Sequence, residues 1–181
     1  RVMKGGSLSA WVKEHPTQYA EALSAGIDRR TLENAYRSIT QGMAEGEKFS
    51  YDKNNLTSNS GKLLSGNDIP ETFNKQVTRI INKKKAVDAE KKANENNINT
   101  PKIIEYDTET KRLIMEKIPN MCIADYYGDD IDDVPDSIIQ KIRRIIQDLY
   151  SINIEYTDIT GYNFIQYNNK VWIIDFGHAT E

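Results

Sequence analysis

Apolar positions along the chain fall into helical stripes and two pairs of short strand-like runs. Between residues 136 and 151, Ile138, Ile142, Ile145 and Leu149 form one stripe, widened by Ile139 and Ile146, which predicts a helix over the whole segment. Phe73, Val77, Ile80, Ile81 and Val87 keep the same period and predict one long helix over 71–96, stopped by "NINTP". Residues 7–45 predict short helices. "HPTQYAEALSAG" has Pro16 near its start and Gly26 as a stop; "DRRTLENAYRSITQG" opens on Asp28 as N-cap and puts Leu32, Ala35, Tyr36 and Ile39 on one face. "KIIEYD" (102–107) and "RLIMEKI" (112–118) predict strands joined by the turn "TETK". "FIQY" and "VWIID" predict a second hairpin around the polar turn "NNK". Residues 50–70 predict a loop with a short strand near Lys62–Leu64, and 120–135 an acidic loop. Helix, hairpin, helix, loop, hairpin is an α+β order.

Composition narrows this little. At 181 residues, with 38% hydrophobic and 28% charged positions, a folded domain with a small appendage is expected. A net charge of −3 and a pI of about 5.5 argue against general nucleic-acid binding. "GIDRRTLENAYR" fits a helix-turn-helix, but two helices around a glycine are a commonplace packing unit. No apolar run approaches the roughly 20 residues of a membrane span. The lone cysteine, Cys122, fits a reducing, cytoplasmic setting (host cytoplasm for a viral or effector protein) and a small apolar filler. The first residue is Arg1, as in a processed or excerpted sequence.

The chemistry is concentrated in "YTDITGYNFIQYNNKVWIIDFGHA", residues 156–179. Asn163 precedes the first strand of the second hairpin and Asp175 follows the second. The two ends of a hairpin lie side by side, so these side-chain oxygens can converge on one ion. Mg²⁺ takes hard oxygen ligands, usually one or two carboxylates plus phosphates. Asp158, five residues before Asn163, is placed to accept the proton of an incoming hydroxyl. Gly177 permits an unusual turn after Asp175-Phe176.

These residues resemble the catalytic core of the protein-kinase-like superfamily, whose H-R-D-x-x-x-x-N, hairpin and D-F-G are matched by "YTDITGYN", "FIQYNNKVWII" and "DFG". The flavour is that of small atypical kinases: KEOPS-type, RIO-type, or minimal viral and bacterial-effector kinases. The resemblance implies a kinase-like fold with an N-lobe over about 49–118, a reduced C-lobe over about 119–181, and a helical accessory segment over 1–48. It implies ATP and Mg²⁺ as cofactors, Asp158 as the catalytic Asp, and Asn163 and Asp175 as metal ligands. It places Glu90 of "DAEKKANENNI" in the ion-pairing position of the regulatory helix, and Met115 at the gatekeeper with Glu116–Ile118 along the adenine-facing hinge. Lys62 of "GKLL" is the lysine candidate, since it precedes the Glu-bearing helix.

The departures are Tyr156 and Thr157 where the family has His and Arg, and the lack of any G-x-G-x-x-G. With Thr157 in place of the Arg that would read a phosphorylated loop, the protein is expected to be active as made, or to wait for a partner, rather than to await loop phosphorylation. The function implied is a Ser/Thr protein kinase; a pseudokinase scaffold or a small-molecule phosphotransferase is the alternative. The expected partner is a protein substrate, with a further protein partner at the amino-terminal helices, and neither nucleic acid nor membrane. Those helices, with Trp11, Tyr19, Leu23, Leu32, Tyr36 and Ile39, are also expected to cover the underside of the catalytic loop.

Overall fold

A computed structural model describes residues 8–44 and 68–181, with side chains over 8–39 and 72–181. The described residues form six helices, α1 (Leu8–Glu14), α2 (Pro16–Ser24), α3 (Arg29–Ala44), α4 (Asp68–Glu95), α5 (Ile123–Tyr127) and α6 (Asp136–Ser151). They also form six short strands, β1 (Ile103–Asp107), β2 (Arg112–Met115), β3 (Glu155–Tyr156), β4 (Phe164–Tyr167), β5 (Lys170–Ile173) and β6 (Ala179–Thr180). The strands pair antiparallel as β1–β2, β3–β6 and β4–β5. This is the expected α+β class. No described helix is long and apolar enough to cross a membrane. Lys62, the short strand expected near it and most of the 50–70 loop lie outside the described residues.

Three helices stop in the same way. Gly26, Asn97 and Asn153 take positive φ of 80°, 61° and 61°. The next amide in each case reaches back five residues: Ile27 N to Ala22 O, Ile98 N to Ala93 O, and Ile154 N to Leu149 O, each at 3.0 Å. This is the Schellman closure, in which an apolar residue just past the left-handed position packs against the last turn. All three isoleucines are buried. Each stop therefore ends a helix and drives the outgoing chain into a core. At the start of α3, Asp28 caps as the sequence indicates, its Oδ1 accepting from Thr31 N at 2.8 Å.

The chain divides into two compact units, Arg1–Asn82 with Thr108–Lys111 and Lys83–Asp107 with Arg112–Glu181, so that α4 belongs to both. In the first, the buried side chains of Leu8, Trp11, Ile27, Leu32 and Ile39 pack with Phe73, Val77, Ile80 and Ile81 of α4. Phe73 receives the edges of both Trp11 and Tyr36, at centroid distances of 4.9 and 5.1 Å. This removes the premise that the amino-terminal aromatics lack a core of their own, on which their expected cover over the catalytic loop rested. Their core is built with the first half of α4, whose apolar stripe demanded a partner.

The second unit holds the candidate site. Ala86, Ala89 and Ala93 of α4 and Ile138, Ile145 and Leu149 of α6 bury against Ile123, Ile154, Tyr156, Phe164, Val171, Ile173 and Phe176. The β4–β5 hairpin turns on Asn168 and Asn169, both left-handed with φ of 51° and 58°. Two successive positive-φ residues match the right-handed twist of a two-residue hairpin, and Asn accepts that geometry better than most residues. The segment leaving α4 is pinned to β5 by Ile173 N to Asn99 O at 2.9 Å and Asn99 Nδ2 to Val171 O at 3.3 Å.

Candidate active site

The β4–β5 pairing sets Phe164 opposite Ile173, which brings together the residues just outside each end. Ile174 N donates to Asn163 O at 2.9 Å, tying the approach to Asp175 onto Asn163. Asn163 is buried. Its Nδ2 donates to the Asp158 carbonyl at 2.9 Å and to Asp158 Oδ2 at 2.8 Å. The Asn163 side chain also lies within hydrogen-bonding reach of the Tyr156 hydroxyl. Asp158, Asn163 and Asp175 are thus gathered by one hairpin and one loop, as the spacing in the sequence indicates.

Asp175 is exposed and left-handed, with φ of 61°. Its Oδ1 accepts from Gly177 N at 3.0 Å, an Asx turn of the kind that lets aspartate hold this backbone. A Cβ on Gly177 would lie 3.0 Å from that same oxygen, so a larger residue there would push on the Asp175 carboxylate by a few tenths of an ångström. The second carboxylate oxygen of Asp175 has no hydrogen-bond partner among the described residues.

Glu90 is buried on α4, and its Oε1 accepts from the equally buried Thr100 hydroxyl at 3.1 Å. Burial pushes its carboxyl above the ordinary range; the Thr100 hydrogen bond and Lys83 oppose the shift, and the charge of Asp175 adds to it. Lys62, its expected partner, is outside the described residues. Met115 is exposed at the end of β2, paired with Ile103, while Glu116 N donates to Lys102 O at 2.8 Å and Ile118 is buried. Among the described residues no group of three or more His, Cys, Asp or Glu side chains is gathered around a metal position. One carboxylate and one amide oxygen do fit an ion completed by substrate phosphates and water, the usual arrangement for Mg²⁺.

Three contributors escaped the sequence reading. The acidic segment contains α5, capped by Cys122, whose Sγ accepts from Asp125 N at 3.4 Å, so this cysteine is a helix cap. Ala124 of α5 lies against Gly161, where an added Cβ would come within 3.1 Å of Ala124 Cβ and 3.2 Å of its backbone nitrogen. Strands β3 and β6 close over the motif, pairing Tyr156 with Ala179. The signal for β3 and β6 is the apolar Tyr156 and Ala179 on either side of the motif, but two residues show no period.

The profile of the RIO domain matches residues 51–181. The chain belongs to the RIO-domain family. RIO kinases are members of the atypical protein-kinase-like superfamily, so the kinase-like resemblance of the Asp158–Asp175 segment and the α+β fold have one explanation. The match includes α4, both hairpins, α6 and every candidate site residue of this RIO domain. The family is one of atypical, ATP-binding kinases. No curated protein matches the chain.

Proposed function

We propose that this RIO domain is an ATP- and Mg²⁺-dependent kinase that phosphorylates a Ser or Thr hydroxyl of a protein. The observation that carries the reading is Asn163, whose amide nitrogen grips Asp158 at 2.8 Å while its backbone carbonyl accepts from Ile174 N, the residue before Asp175. When bound, Mg²⁺–ATP supplies the phosphoryl group and the neutralising charge that transfer requires. Asn163 Oδ1 and the Asp175 carboxylate would hold the metal. Asp158 Oδ2 is fixed by Asn163, so Oδ1 is the atom that takes the proton of the acceptor hydroxyl. Glu90 would pair with Lys62 at the phosphates, and Met115 and Glu116 would flank the base, with Ile118 behind them.

The test separates binding from transfer. Asp158→Asn keeps the shape and removes the proton acceptor. Nucleotide affinity by calorimetry with Mg²⁺ should stay near the parent value, and γ-phosphate transfer to a protein acceptor should drop by roughly 10²–10⁴. Retention of most of the transfer rate would remove Asp158 from the catalytic role.

A further inference from the structure

Tyr156 stands where the superfamily pattern has His, two residues before Asp158, and it is 1% exposed. Its ring lies edge-on to Phe176 at 5.7 Å and to Phe164 at 6.4 Å. Those are the residues that directly follow Asp175 and Asn163. Its single hydroxyl proton is shared between Ile174 O and Asp175 O, each 2.9 Å from the hydroxyl oxygen. These two carbonyls belong to the peptide groups on either side of the Asp175 Cα. Holding both fixes φ and ψ of the residue between them, and Asp175 is the non-glycine residue there with φ of 61°. A left-handed non-glycine backbone is a minor conformer that persists where its surroundings determine it. Strand pairing of Tyr156 with Ala179 anchors the same residue to the chain beyond the turn.

We infer that the Tyr156 hydroxyl is a positioning group for Asp175: it clamps the left-handed backbone and thereby aims the carboxylate at the metal position. Tyr156 acts through Asp175, with the Asn163 side chain as a second neighbour of its hydroxyl. The inference rests on the reading of Asp175 as the metal-holding carboxylate, so the experiment tests both separately. Nucleotide affinity of the full chain is measured by calorimetry, with ATP alone and across a Mg²⁺ titration, for the parent, Asp175→Ala and Tyr156→Phe. Phe keeps the ring between Phe164 and Phe176 and removes one hydrogen-bond donor.

Asp175→Ala should lose the Mg²⁺-dependent gain in affinity. Tyr156→Phe should need roughly tenfold more Mg²⁺ to reach the same gain, the scale of one buried hydrogen bond, with metal-free affinity unchanged. A Phe variant with the parent's Mg²⁺ midpoint, beside an Asp175→Ala variant that has lost the gain, overturns the clamp and leaves the Asp175 reading standing. A Phe variant that fails to fold, or loses metal-free affinity equally, also overturns it, because the hydroxyl would then hold the fold at large. An Asp175→Ala variant with the parent's metal dependence removes the Asp175 reading itself and the clamp with it.

Discussion

Glu90 shows how one buried side chain links stability to the site. Desolvation is the first cause of its raised carboxyl, and among the described residues the Thr100 hydroxyl and Lys83 offset it. A carboxyl whose folded value lies above its unfolded value of 4.5 binds its proton more tightly in the native state. Its contribution to stability is complete below the unfolded value and is lost as pH rises through the folded one. Glu90→Gln resembles the protonated acid and still offers Thr100 an acceptor. Thermal melts of both proteins between about pH 4 and pH 8 should show the parent losing stability relative to the Gln variant as pH rises. A parent that gains on the variant over that range would mean the carboxylate is compensated by a nearby cation. The sequence marks Glu90 only as a helix charge with a family resemblance. Its burial depends on the Ala86, Ala89 and Ala93 face of α4 and on the chain folding back through Thr100, and neither shows in the residue itself.

At the level of elements, legibility tracks length and self-sufficiency. Helix α6 reads to its terminal residues because Ile138, Ile142, Ile145 and Leu149 form a stripe over sixteen residues. The β4–β5 hairpin reads because Asn168-Asn169 is its own turn chemistry. Helix α5 has five residues, and its apolar pair, Ile123 and Ala124, is followed at once by an acidic and two aromatic residues. What forms it is the local cap of Cys122 and the tertiary seat of Ala124 on Gly161. That seat gives a test. Gly161→Ala drives a methyl into the Ala124 backbone, which cannot turn aside as a long side chain would. Overpacking of this kind costs about 1–3 kcal/mol. Denaturant titration should show the midpoint falling accordingly, with Mg²⁺-dependent nucleotide affinity falling too, since Gly161 begins the turn that carries Asn163. An unchanged midpoint would mean that α5 is not a support of the catalytic loop.

For the whole molecule, the expectation set the amino-terminal helices against the catalytic loop, because the stripes of α1–α3 and of α4 were visible in the sequence but their pairing was not. Phe73, Val77, Ile80 and Ile81 are 0–2% exposed, and their buried partners include Leu8, Trp11, Leu32 and Ile39. Burying a large apolar side chain stabilises by roughly 1.5–3 kcal/mol, against a net domain stability of about 5–15 kcal/mol. Loss of even two such burials, about 3 kcal/mol at the low end, is enough for about a hundredfold change in an opening equilibrium. Removal of residues 1–44 should therefore raise amide hydrogen exchange about a hundredfold over 72–82, the part of α4 that packs in the first unit. The residues of α4 beyond 83 bury Ala86, Ala89 and Ala93 in the other core, together with β4 and β5. Exchange in the β4–β5 hairpin should then stay within about tenfold of the parent, because none of its buried neighbours has been removed. If 72–82 keep their protection in the truncated chain, the first half of α4 is stable without α1–α3. If the hairpin loses protection in step with 72–82, the two cores unfold as one, and α4 is the element through which the loss is transmitted.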